Sequence, residues 1–182
     1  MKFLIIVGTA RKGRNTIHPA RKAQEVFEER GHEISFFDPQ EKEVPPLGNR
    51  TYVDSEEPVP EDIQELSREV KSADGVVIVT PEYNHSIPGI LKTTLDYMYP
   101  EYDEKPFSFI TDSAGGFGGV RGLQHLHDIV LELGGFIGPD LSVSNAGEVF
   151  PDDGELIDES YEERFENFVD DSVEFVQRME KS

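Results

Sequence analysis

Three short stretches of this 182-residue chain gather the side chains and backbone that chemistry needs. The first is Gly8-Thr9-Ala10-Arg11-Lys12-Gly13-Arg14-Asn15-Thr16. Thr9 and Thr16 offer hydroxyls, Arg11 a planar charged fork, and the glycines let backbone N–H groups turn inward. With a helix starting just behind it, the stretch has the parts of a phosphate cradle. Its candidate contacts are Thr9, Arg11, Gly13, Asn15 and Thr16. The pattern approaches the P-loop GxxxxGK[ST], but Arg14-Asn15 stand where the lysine and the magnesium-binding hydroxyl belong, which argues against an NTPase. No GxGxxG fingerprint occurs here or in the third stretch. The competing reading is a basic surface turn.

The second stretch, Pro81-Glu82-Tyr83-Asn84-His85-Ser86, puts an aromatic ring, an amide and a carboxylate just beyond a buried strand. A planar heteroaromatic ligand needs a flat apolar wall and hydrogen bonds along one edge, and Pro81 to Asn84 can give both. The competing reading is a helix-entry turn whose Tyr83 packs on the core. The third stretch, Ser113-Ala114-Gly115-Gly116-Phe117-Gly118-Gly119, permits close approach of backbone to a ligand. Its competing reading is a flexible turn.

Alternating strand and helix patterns position these stretches. Lys2 to Val7, Ile34 to Phe37, Gly75 to Thr80, Pro106 to Thr111 and Ile137 to Val143 read as strands, the last weakened by Gly138-Pro139. A helix is expected near Thr16 or Ile17, capped by Asn15 or Thr16, with Ala23, Val26 and Phe27 inward and Gly31 at its end. Pro60-Glu61-Asp62 opens a second helix, with Ile63, Leu66 and Val70 as its apolar stripe. Pro88 begins a third that reaches about Met98. The fourth follows the glycine-rich stretch, with Val120, Leu123, Leu126, Val130 and Leu133 inward. The last runs from about Ser160, with Tyr161, Phe165, Phe168, Phe175 and Met179 near helical spacing. This alternation predicts an α/β fold: a five-stranded parallel sheet between helical layers, in flavodoxin-like order 2-1-3-4-5. All three chemical stretches then fall at the carboxyl ends of strands, where ligands bind such sheets. One domain over 1–182 is expected. Residues 39 to 60, with five prolines, form a loop and not a linker, because the pattern resumes beyond them.

Composition narrows the function classes. Hydrophobic residues make up 36% with 16 glycines besides, so a packed core is expected and disorder throughout is not. No apolar run nears the roughly 20 residues of a membrane span. The start lacks a signal-peptide cleavage pattern, so a cytoplasmic protein is expected. With no cysteine there is no disulfide, thiolate nucleophile or cysteine metal site. The net charge of −20 disfavours nucleic acid and anionic membranes as partners. It suits a salt-rich cytoplasm, where counterions screen self-repulsion; an ordinary acidic protein is the alternative. Residues 1 to 30 run against this trend, with seven Lys or Arg against three Glu. An anionic ligand explains that basic spot. Other candidates are weaker. His125 and His127, two apart on a helix, cannot share a metal, and the pairs Asp152-Asp153 and Asp170-Asp171 lack calcium-loop spacing. No metal site and no Ser-His-Asp arrangement is read.

The run Thr80-Pro-Glu-Tyr-Asn-His-Ser-Ile-Pro-Gly-Ile-Leu-Lys-Thr-Thr-Leu-Asp96 resembles the signature of the NADPH-dependent FMN reductase family. That flavodoxin-like group includes flavin, quinone, azo-dye and chromate reductases. The first and third stretches agree with it in kind and order, and the resemblance covers about residues 2 to 145. It implies that Thr9, Arg11 and Thr16 hold the FMN phosphate. Pro81, Glu82, Tyr83 and Asn84 would line the isoalloxazine, with Ser113, Gly115 and Gly116 along its far side. No catalytic side chain is expected, since flavin N5 carries the hydride. The implied activity takes a hydride from NADPH or NADH and passes electrons to a small acceptor: a quinone, azo compound, free flavin or metal ion. A flavodoxin-type electron carrier and a non-enzymatic FMN-binding protein are the alternatives. The resemblance also implies a homodimer or homotetramer, with Tyr97, Met98, Tyr99 and Tyr102 as a candidate apolar-aromatic interface cluster.

Overall fold

The computed structural model describes residues 1–54, 56, 58–151 and 154–179. Five strands form one parallel sheet in the order β2-β1-β3-β4-β5. They are β1 (Lys2–Val7), β2 (Glu33–Phe37), β3 (Gly75–Pro81), β4 (Pro106–Asp112) and β5 (Phe136–Val143). The central strands β3 and β4 are buried at every position, which is why they read as continuous apolar runs and not as alternating ones.

Alternation sorts the two faces. Leu4, Ile6, Val76, Ile78, Phe107 and Phe109 pack against α2 (Glu61–Ser72), α3 (Gly89–Asp96) and α4 (Val120–Glu132). Phe3, Ile5, Val7, Val77, Val79 and Ile110 face α1 (Ile17–Glu29) and α6 (Glu159–Met179). A short α5 (Ala146–Val149), absent from the sequence expectation, fills the turn after β5. The long 39–60 loop carries no helix or strand among its described residues.

Gly138-Pro139 sits within β5, at the sheet edge where a missing N–H is tolerated. The register slips between Phe107 and Phe109 opposite it. A Cβ at Gly138 would lie 2.5 Å from Phe175 Cδ1, so that glycine lets α6 close on the sheet.

Four expectations need correction. Val120, the first residue of α4, is 45% exposed and not turned inward. The third helix stops at Asp96, and Pro88 occupies its N-cap position. Phe175 and Met179 are half-buried, whereas Phe168 and Val169 carry the inner face of α6. Tyr97, Met98 and Tyr102 are buried in their own core; only Tyr99 of that group is exposed. The Tyr97 hydroxyl donates to the carbonyls of Pro45 and Pro46, pinning the proline-rich loop.

Candidate functional site

The carboxyl ends of β1, β3 and β4 lie side by side, and the three chemical stretches leave from them. They are linked to one another. The Thr9 and Tyr83 hydroxyls are 2.8 Å apart and share a hydrogen bond, joining the first stretch to the second. Glu82 Oε2 accepts the backbone N–H groups of Arg121 (3.0 Å) and Gly122 (3.1 Å), joining the second stretch to α4 behind the third. Thr16 at the start of α1 and Asp112 at the end of β4 act on each other, the hydroxyl favouring the ionised carboxyl.

In the first stretch, Gly13 takes φ +66°, a conformation that favours glycine, and the chain then turns into α1. Thr16 occupies the N-cap position but makes no side-chain capping bond, leaving the positive end of the helix uncovered by its own cap. Thr9 and Thr16 are buried, Asn15 is half-buried, and Arg11 and Lys12 are exposed. Arg14 goes the other way. It is 5% exposed and paired with the buried Asp38 at the end of β2. Its Nε and Nη1 have no hydrogen-bond partner among the described residues.

The second stretch is a tight turn. Tyr83 N–H donates to Ser86 O (2.8 Å) and Ser86 N–H to Tyr83 O (3.0 Å), with Asn84 and His85 between them at φ 51° and 64°. Two positive values define a type I′ turn, and Asn and His are among the non-glycine residues that tolerate them best. Pro81 is buried, Glu82 and Tyr83 are half-buried, and Asn84 is exposed. The carboxylate of Glu82, expected at a ligand edge, is committed to the α4 N-terminus, where charge and dipole agree.

The third stretch divides its glycines. Gly118 and Gly119 have φ +60° and +84°, and a Cβ there would lie 2.8 Å from Ser142 Cβ and 3.0 Å from Thr111 Cβ. The fold itself requires both. Gly115 and Gly116 have no positive φ and nothing within 4 Å of an added Cβ, so no part of this chain demands glycine at either position. Both are exposed beside the half-buried Ser113. Ser113 Oγ donates to Gly115 O (2.8 Å), and Ser144 Oγ to Gly116 O (3.0 Å).

Asp112 was not among the expected site residues. It ends β4 at 5% exposure, and burial pushes its carboxyl up to about 6 against the opposing effects of Thr16 and Arg11. An acidic residue closing a buried strand was the available signal. Arg14–Asp38 was missed because the partners are far apart in sequence. His125 is exposed, with Nδ1 3.0 Å from Ser86 Oγ, and His127 is half-buried, its edge on Phe109, with its pKa lowered by burial. Asp170 pairs with Arg30 and Asp171 is exposed; Asp152 and Asp153 lie outside the described residues. No group of three or more metal-ligating side chains occurs among the described residues, and no described helix is long and apolar enough to cross a membrane.

Solved structures share this architecture. FerB, an NAD(P)H:(acceptor) oxidoreductase flavoenzyme from Paracoccus denitrificans, superposes with a TM-score of 0.82 at 24% identity over 98% of both chains. A flavodoxin from Pseudomonas aeruginosa gives 0.61 at 18% identity, over 95% of this chain and 99% of its own. The fold is therefore flavodoxin-like. At the sequence level, residues 1–148 match the model of the NADPH-dependent FMN reductase family. A quinone reductase of Escherichia coli is 36% identical over 140 residues, covering 70% of this chain and 71% of that protein. An FMN-dependent NADPH-azoreductase of Staphylococcus aureus is 32% identical over 180 residues, 97% of this chain and 95% of its own. The chain belongs to the NADPH-dependent FMN reductase family, as its middle signature implied.

Proposed function

We propose that the three linked stretches hold FMN, with its phosphate at Thr9, Arg11, Gly13, Asn15 and Thr16. The isoalloxazine lies against Pro81, Glu82, Tyr83 and Asn84, with Ser113, Gly115 and Gly116 along its far side. The observation that carries this reading is the division of the glycines. Gly115 and Gly116 answer no demand of the chain, and they leave bare backbone where a flat ring would pass. The donor set also fits: two hydroxyls, an exposed guanidinium and an uncovered helix start suit a phosphate monoester.

FMN held by these residues would supply a hydride acceptor for NADPH or NADH and an electron donor for a small acceptor, a quinone or azo compound by analogy with the relatives. The chain's own part is orientation and electrostatics. Tyr83 fixes the height of the second stretch through Thr9. Glu82 supports that stretch by gripping α4 and so works as a positioning group.

We read residues 1–182 as one FMN-binding domain acting in the cytoplasm as a homodimer or homotetramer. With Tyr97, Met98 and Tyr102 internal, the association surface narrows to the α3–α4 side, where Tyr52 and Tyr99 flank a cavity of about 320 Å³. Light scattering checks the association: a monomer removes it.

The decisive measurement is the anaerobic absorption spectrum of the FMN-loaded protein during NADPH and NADH titration. We expect the flavin band to bleach and to return on adding a quinone or azo compound. Bleaching only with a protein reductase would assign an electron-carrier role instead.

A further inference from the structure

Asp112 has no role in the reading above, yet it is the most unusual group near the site. It is buried where β4 gives way to Ser113, and its Oδ1 has no hydrogen-bond partner among the described residues. Its neighbours in register, Pro81 on β3 and Val143 on β5, bring no titratable group. The nearest carboxylate along the second stretch, Glu82, is held by the α4 backbone. From the first stretch, the Thr16 hydroxyl and the Arg11 charge act on Asp112.

Thr16 and Arg11 are also assigned to the FMN phosphate. The Thr16 hydroxyl has one proton to donate and cannot give it to a carboxylate and a phosphate at once, and two anions that share the field of Arg11 repel each other. A protonated Asp112 removes the conflict and supplies an O–H donor in place of a second acceptor. The apo protein is poised for that change, because burial already opposes the ionised form.

We propose that FMN binding shifts the Asp112 carboxylate toward its protonated form by proton uptake from solvent, so that Asp112 sets both the pH range of cofactor retention and the preference for FMN over riboflavin. The proposal rests on the placement of the FMN phosphate at Thr9–Thr16. The proton comes from solvent, converts the carboxylate to a carboxylic acid and returns when FMN leaves; no covalent bond to the cofactor is made. The flavin ring and ribityl chain are common to both ligands, so the linkage appears with FMN and not with riboflavin.

The test is a pair of flavin-fluorescence titrations, FMN and riboflavin, on the wild type and on Asp112→Asn between pH 5 and 8. In the wild type, preference for FMN over riboflavin should fall about tenfold relative to the variant as pH rises, the change expected if bound phosphate raises the Asp112 pKa by about one unit. Calorimetry near pH 6.5 in two buffers of different ionisation enthalpy should give net proton uptake for FMN on the wild type. The phosphate's own second ionisation, near pH 6, works in the opposite direction, because binding the dianion releases protons. Parallel pH profiles in wild type and variant would overturn the proposal. So would an equal effect of the substitution on riboflavin, since that places Asp112 against the ring or ribityl chain. If Asp112→Asn does not fold, the wild-type calorimetry decides alone: no uptake, or release, sinks the idea. A wild type that binds neither flavin removes the FMN reading together with this one, whereas flavin binding without the linkage removes only this one.

Discussion

The stretches 8–16 and 113–119 flank the same site and are built on opposite principles. The later one is neutral and tied to its own chain. Thr111 Oγ1 donates to Gly118 O (2.7 Å), Ser144 Oγ to Gly116 O, and Asn145 N–H to Gly115 O (3.0 Å). The earlier one is charged and sparsely tied. Arg11 and Lys12 reach solvent, Arg14 is withdrawn into an internal ion pair, and Thr9 leans on Tyr83 from another loop. A wall for a flat neutral ring needs fixed backbone, which hydrogen bonds supply. A seat for a phosphate needs positive charge that stays hydrated until the ligand arrives. Of the cations in residues 1 to 30, Arg11 and Lys12 serve this stretch, whereas Lys22 and Arg30 pair with Glu162 and Asp170 of α6.

The contrast breaks most sharply at Arg14, the one cation of the first stretch that serves the fold. Arg14→Ala leaves Asp38 buried and unpaired, a loss of about 3–5 kcal/mol. Chemical denaturation should register that loss, and replacing both partners with apolar residues should recover most of it. A variant as stable as the wild type would mean that the pair is open to water in solution.

Asp112 follows in size. A carboxyl raised from 3.8 to about 6 lets the native state hold its proton more tightly than the unfolded state. Stability on this account is full below about pH 4, falls as pH rises toward 6 and stays lower above it. Asp112→Asn should therefore stabilise the apo protein at pH 8 by up to about 3 kcal/mol and leave it unchanged below pH 4. Thermal melts across that range check the sign: a destabilised variant at pH 8 would indicate that the ionised carboxylate is held by partners.

The strand order and both helical faces were legible in the sequence, because buried parallel strands and amphipathic helices write their burial directly into residue type. Phe107 and Ile78 are apolar for the same reason that they are central. The three chemical stretches were legible as composition, but their internal division was not. Whether Arg14 faces the ligand or the core depends on Asp38, 24 residues away. Whether Glu82 meets a ring or a helix depends on α4, nearly 40 residues on. Val120 misled because helical periodicity says which residues share a face and not whether a neighbour covers the first turn of that face. Tyr97 and Tyr102 misled because aromatic residues serve interfaces and cores equally well.

Arg11 sharpens the contrast from the ligand's side. A charge-assisted contact to phosphate contributes roughly 1.5–3 kcal/mol, so Arg11→Ala should weaken FMN about ten- to a hundredfold. Riboflavin lacks the phosphate and should lose far less. Equal loss for both flavins would show that Arg11 acts on the fold, which its exposure argues against.

The smallest effect tests the third stretch by the same ligand pair. Ser144→Ala removes the hydroxyl that donates to Gly116 O, but that carbonyl belongs to an exposed residue, and water can replace the lost partner. Stability should then fall by no more than about 0.5–1 kcal/mol. The backbone of Gly115 and Gly116 becomes freer, and ordering it on binding costs part of the ligand affinity. On the proposed placement, with the ring against this stretch and the phosphate away from it, FMN and riboflavin should weaken together, each by about two- to threefold at this energy scale. A Ser144→Ala variant that loses FMN while keeping riboflavin would place the phosphate on the wrong side of the site. Parallel loss, set against the FMN-selective loss of Arg11→Ala, divides the site into a ring wall and a phosphate seat.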